Sequence, residues 1–81
     1  MNEQEIKAII IQLLEKIAPD AAPDELNEND NFRTALGLDS FDFLQFMVAL
    51  NEKFNIEIPE QDYSDISTLK NITVYILKKK A

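Results

Sequence analysis

The chain has no cysteine, no histidine and no tryptophan, and a single glycine among 81 residues. Each absence removes a class of chemistry. Without cysteine there is no disulfide and no thiol of the chain's own. Without histidine the usual general base and the imidazole metal ligand are missing, and a Ser-His-Asp arrangement cannot be built. Loops that cradle phosphates take several glycines, and Gly37 stands alone. The carboxylates fall in expected loops and helix starts, not in apolar settings that would raise a pKa for acid–base work. The chain is therefore expected not to be an enzyme acting through its own side chains. There is no apolar run long enough to span a bilayer. Glu3 and Glu5 sit where a secretory leader would be basic, and no Arg/Ser-rich leader follows. These features, with the missing cysteines, predict a cytoplasmic protein without membrane attachment. The length predicts one domain over residues 1–81, read as free-standing and with a small core.

Positive charge is scarce as well. The formal net charge is −7, and its distribution is uneven. Between Asp20 and Asp65 there are twelve acids against only Arg33 and Lys53, while Lys78, Lys79 and Lys80 gather at the tail. Such an acidic body repels phosphates and argues against nucleic-acid binding. It suits either plain solubility or steering toward basic protein patches.

What is present is helical periodicity. Ile6, Ile10, Leu13 and Ile17 mark one face of a helix over Glu3 to Ile17, widened by Ile9 and Leu14. Asn2 is placed to cap it, and Ala18-Pro19 stops it. Residues 18–39 read as a long acidic connection anchored by Leu26, Phe32, Leu36 and Leu38, with one helical turn expected over Asn31 to Ala35. Its acids lack the alternation, central glycine and closing glutamate of a calcium loop, so no metal is expected. A second strong helix runs from Ser40 to Phe54, with Asn55 as a left-handed stop. Phe43, Phe46, Met47, Leu50 and Phe54 form its core stripe. Phe41, Leu44 and Val48 form another, rotated away, which is either deeper burial or an exposed patch for a partner. Ile56 to Pro59 is extended. Pro59 opens a short helix over Glu60 to Asp65. Ser67 or Thr68 caps a last helix, Leu69 to Lys78, with Leu69, Ile72 and Tyr75 or Ile76 inward. The expected fold class is all-α: a small bundle of three long helices and one short one, with a long first connection.

The densest local signal lies at Gly37-Leu38-Asp39-Ser40-Phe41-Asp42. Asp39 is a good N-cap, and Asp42 completes a capping box with a short acid. Gly37 marks a backbone angle that other residues resist, or a close approach. Ser40 then falls in the first turn, where the helix dipole and free N–H groups favour an attached phosphate.

The run Leu36 to Asp42, the helix ending Ala49-Leu50-Asn51-Glu52-Lys53-Phe54, and Ile56-Glu57-Ile58-Pro59 resemble an acyl carrier protein. The resemblance covers nearly the whole chain, from the first helix to Ile76. It implies that Ser40, flanked by Asp39 and Gly37, receives 4′-phosphopantetheine from coenzyme A through a magnesium-using phosphopantetheinyl transferase. The arm's thiol would hold an acyl group as a thioester, shielded in the bundle's apolar interior. A largely monomeric carrier would present that group to acyl-loading, condensing or acyl-transfer enzymes with basic patches, in fatty acid, polyketide or related lipid synthesis. Phe41, Asp42, Leu44, Val48 and Glu52 would be the partner-facing residues. Departures from the family pattern are Phe41 for a usual leucine, Gln45 for a usual glutamate, Phe43 for a smaller residue, and Asn55 for a glycine or aspartate. They imply a specialised member with its own partners. Two readings stay open beside it: a peptidyl or D-alanyl carrier, and an unmodified interaction domain in which Ser40 is only a helix-start residue.

Overall fold

Asn2 starts the first helix with a reciprocal pair of bonds: its Oδ1 accepts from the Glu5 backbone N–H at 2.9 Å, and Glu5 Oε1 accepts from the Asn2 N–H at 3.1 Å. In the computed structural model, which describes residues 1–80, this helix is α1, Glu3–Ile17. It is followed by α2, Phe32–Leu36, then α3, Ser40–Phe54, and α4, Leu69–Lys80. Short 3₁₀ turns occupy Pro19–Ala21, Pro23–Glu25 and Glu60–Asp65. Among the described residues the only strand-like feature is an isolated antiparallel bridge between Asn31 and Thr68. The all-α bundle of three long helices with a long first connection is thus the observed architecture. Among the described residues no helix is long and apolar enough to cross a membrane.

The buried line of α1 is Ile6, Ile10 and Leu14, while Leu13 and Ile17 are half-buried on its flank. The core line therefore follows the i, i+4 ridge along which helices pack, and Leu14 takes the central place that periodicity assigned to Leu13. The helix ends where expected, with the Ala18 N–H donating to Leu14 O at 2.8 Å just before Pro19.

Residues 18–39 are held at several points. Pro23, Phe32, Leu36 and Leu38 are buried, and Leu26 is half-buried. Lys7 Nζ reaches Glu28 Oε2 at 2.6 Å and Glu3 Oε1 at 3.2 Å. The paired lysine holds the Glu28 carboxyl below its usual range, and the two carboxylates raise the Lys7 ammonium. Backbone bonds do more of the tying: Lys70 N–H donates to Glu28 O at 2.8 Å, and Phe32 N–H to Ser67 O at 3.1 Å. The helical turn expected over Asn31 to Ala35 is α2, shifted by one residue because Asn31 is its cap, accepting from Thr34 N–H at 3.2 Å.

The inner face of α3 is Phe43, Phe46, Met47, Leu50 and Phe54, all buried. Asn55 ends it in the left-handed region at φ 53°. Ile58 and Ile66 close the core from the connection to α4. Thr68, not Ser67, caps α4: its Oγ1 accepts from Asn71 N–H at 3.0 Å. Thr73, unremarked in the periodic pattern, is fully buried because its hydroxyl donates to Leu69 O at 2.7 Å. Tyr75 is only half-buried, leaving Ile76 as the inward residue. α4 runs two residues beyond Lys78, and Lys80 Nζ donates to Phe54 O at 3.0 Å, satisfying a carbonyl at the end of α3.

Phe46 has no exposed surface, so Phe46→Ala should lose about 3–5 kcal/mol of unfolding free energy in urea denaturation. The Tyr75 hydroxyl donates to Asp62 Oδ2 at 2.8 Å, and burial, reinforced by that carboxylate, pushes the phenol up to about 12. Its folded pKa lies above the ordinary value of 10.0, so the neutral phenol favours the folded state. That contribution is complete below pH 10 and is lost as pH rises through about 12. The wild-type melting temperature should fall more steeply across this window than that of Tyr75→Phe.

Candidate functional site

α2 ends at Gly37, which adopts φ +66° and donates its N–H to the carbonyls of Arg33 and Thr34. An added Cβ would meet nothing within 4 Å, so the glycine is there for its angle and not for a close approach. The left-handed residue reverses the chain, and Leu38 buries itself behind it. Two residues later α3 begins.

Asp39 caps α3 as its sequence position predicts. Its Oδ1 accepts from Asp42 N–H at 2.8 Å, and Asp42 Oδ2 accepts from Asp39 N–H at 3.4 Å. Each carboxylate therefore has one oxygen committed to a backbone N–H. Between them stands Ser40, the first residue of α3, exposed, its hydroxyl without a protein partner among the described residues. The site so formed is an accessible nucleophilic oxygen at the positive end of a 15-residue helix. No imidazole or amine neighbours it among the described residues, and each flanking carboxylate has one oxygen engaged in the cap.

Two surfaces flank Ser40. The first is the outer side of α3. Phe41, Leu44 and Val48 are 68%, 50% and 53% exposed, which decides the earlier alternative for this stripe: it is surface. With Gln45, Ala49 and Glu52 it lines an open groove of about 490 Å³. Asp42, half-buried, and the exposed Glu52 stand on the same helix. Periodicity thus brings all five of the expected partner-facing residues onto α3, and the three apolar ones with Glu52 onto one groove.

The second surface was not foreseen. Ser40 also lines a groove of about 470 Å³ between α3 and the 3₁₀ turn Glu60–Asp65. Arg33, Tyr63, Ser64 and Ser67 share its walls with Phe43 and Leu44. Arg33 lies with its guanidinium carbon 4.8 Å from the centre of the Phe43 ring. The one hint in the chain was that Arg33 and Lys53 are the only bases in the acidic window. The convergence of residues 33, 40 and 63 depends on helix packing, which periodicity does not report.

Known proteins with this pattern agree with the geometry. The family model described as "phosphopantetheine attachment site" matches residues 4–76. An acyl carrier protein of Wolinella succinogenes is 36% identical over 94% of this chain and 93% of its own length. One from Chlamydia caviae is 39% identical over 91% of this chain and 90% of its own. The solution structure of an acyl carrier protein candidate from Anaplasma phagocytophilum superposes with a TM-score of 0.87 at 29% identity, covering 100% of this chain and 94% of that one. The fold, the helix that begins at Ser40 and these likenesses lead to one assignment: the chain belongs to the acyl carrier protein family, whose members carry acyl groups on 4′-phosphopantetheine.

Proposed function

We propose that Ser40 is the residue to which the phosphopantetheine arm is joined, and that residues 1–81 act as one carrier domain rather than as a catalyst. The observation that carries this is the unpartnered Ser40 hydroxyl at the exposed N-terminal end of α3, between two acids committed to the capping box. The residues fit the group chemically. A phosphodiester on this oxygen lies where the helix dipole favours negative charge, and the left-handed Gly37 with the Asp39 cap holds that end in place.

Loading uses Ser40 as nucleophile and a transferase as catalyst. The serine oxygen forms a bond to the pantetheine-side phosphorus of coenzyme A. The pyrophosphate P–O bond breaks, adenosine 3′,5′-bisphosphate leaves, and the hydroxyl proton passes to a base of the transferase. The arm, once bound, supplies the thiol that the cysteine-free chain lacks. This chain's own residues do the rest: Ser40 tethers, Asp39 and Asp42 fix the helix end, and the outer face of α3 docks enzymes.

The docking surface combines Phe41, Leu44 and Val48, which supply desolvated contact, with Asp42 and Glu52, which face basic patches on transferase and acyl-processing partners. Gln45 replaces a charge with an amide in the middle of this groove, and Phe41 adds bulk at its Ser40 end. Both changes favour a dedicated partner set over use by every fatty-acid enzyme. A monomeric, cytoplasmic carrier fits this surface, which has to stay open to successive enzymes.

Three outcomes check this. Co-expression with a broad-specificity phosphopantetheinyl transferase should add one phosphopantetheine to the intact mass of the wild type and none to Ser40→Ala; the same mass gain on both, or none on either, would remove the assignment. Asp39→Ala should lower stability by about 1 kcal/mol through the lost cap. It should still accept the arm, more slowly, as intact-mass time courses would record. Loading with acyl, malonyl and aminoacyl donors separates the acyl reading from an aminoacyl carrier.

A further inference from the structure

We propose that Arg33 pairs with the phosphodiester at the root of the arm once the arm is joined, and that Phe43 holds the guanidinium ready for it. The inference rests on the reading of Ser40 as the attachment point. A diester on Ser40 adds a negative charge to a place already crowded with them. Asp39 and Asp42 flank the serine, and each commits only one oxygen to the capping box. Between Asp20 and Asp65 the only cations are Arg33 and Lys53. Lys53 stands near the far end of α3, roughly 20 Å from Ser40 by helix rise. Charges in water are largely screened beyond about 10 Å at 0.1 M salt, so Lys53 does not offset the new charge. Arg33 is the one base that lines a groove together with Ser40.

Arg33 is placed for this and is otherwise unengaged. Ser40 and Phe43 are three residues apart on α3, so they share one side of the helix. The guanidinium carbon of Arg33 lies 4.8 Å from the centre of the Phe43 ring, which sets it beside the first turn of α3. The ring is itself fixed. It is stacked with Phe32 at 6.1 Å and 14°, and meets Tyr63 edge to face at 5.4 Å and 80°. A guanidinium over a ring gains from the π face, while its N–H donors lie in its own plane and stay available. Among the described residues the ion pairs are those of Lys7 with Glu3 and Glu28, and Glu60, the acid of the groove, does not pair with Arg33. The planar fork of arginine matches two oxygens of a phosphate group. The pair sets the direction in which the arm leaves the helix, with Phe43 as a positioning residue for Arg33. Because Arg33 is exposed, the pair is modest in strength and sensitive to salt.

The test compares the whole protein with and without the arm, loaded from coenzyme A by a phosphopantetheinyl transferase, for the wild type, Arg33→Gln and Arg33→Lys. Intact mass confirms one arm per chain. Attachment should move the Arg33 Nε–H resonance of the wild type. The phosphorus resonance of the diester should differ between the wild type and Arg33→Gln. Subtracting the melting temperature of the bare protein from that of the loaded one removes whatever Arg33 does for the fold alone. That difference should be more positive for the wild type than for Arg33→Gln by about 2 °C or more in dilute buffer. The gap should close in about 1 M salt, where screening acts within about 3 Å. Arg33→Lys, which keeps the charge and loses the fork, should fall between the two. In Phe43→Leu the response of the Arg33 Nε–H to attachment should shrink; an undiminished response would remove the role given to Phe43. Equal differences for the wild type and Arg33→Gln, a gap that persists at high salt, or an Arg33 resonance that attachment leaves in place would each overturn the pairing while leaving attachment at Ser40 intact. Failure of the wild type to take any arm would remove the attachment reading first, and this inference with it.

Discussion

The contact of Phe32 with Phe43 and Phe46 is the interaction on which the rest of this molecule depends. Phe32 belongs to the long connection, and the other two rings belong to the inner face of α3. With no disulfide and a small core, that connection is fixed by buried side chains, of which Phe32 is the largest. Backbone bonds from Phe32 to Ser67 and from Lys70 to Glu28 then tie the same segment to the start of α4. The reversal at Gly37 and the start of α3 follow from where Phe32 and Leu36 are buried.

Anchoring of this kind lets one helix serve two purposes. The inner face of α3 holds the bundle together, while its outer face leaves Phe41, Leu44 and Val48 in water. These three side chains stay largely outside the core, and their placement on the same helix as Asp42 and Glu52 fits the proposed docking surface. The N-terminal end of the same helix presents Ser40. The proposed attachment point and docking face therefore share one rigid element, so a partner that recognised α3 would find the serine in a defined place.

Chemistry that the chain lacks shapes this arrangement. A protein without cysteine can carry thioesters only on a borrowed thiol, and without histidine it lacks the usual general base. The capping box shows the physical side of that division. Asp39 and Asp42 are the carboxylates nearest Ser40 in sequence, and both accept backbone N–H bonds that hold the helix end. They act as structural acids, and the hydroxyl remains available.

Most of this was legible in the linear chain. Three helices, their stops at Pro19 and Asn55, the Asn2 and Asp39 caps, the second apolar stripe of α3 and the place of Ser40 all rest on local rules of spacing and capping, which operate within a few residues, whereas the exposure of that stripe came from the packing. What local rules decided less well were choices among neighbours. Leu14 rather than Leu13 at the centre of α1, Thr68 rather than Ser67 as cap, and Ile76 rather than Tyr75 in the core depend on which side another helix approaches. The groove joining Arg33, Ser40 and Tyr63, and the Lys80 bond to Phe54, were invisible for a stronger reason. They join residues far apart in the chain, and only packing brings such residues together. Sequence determined the helices, their ends and the place of the Ser40 hydroxyl at a helix start, because each is a matter of short-range sterics and hydrogen bonding. Tertiary structure alone decided what surrounds that hydroxyl, because the surroundings are set by how the helices bury one another.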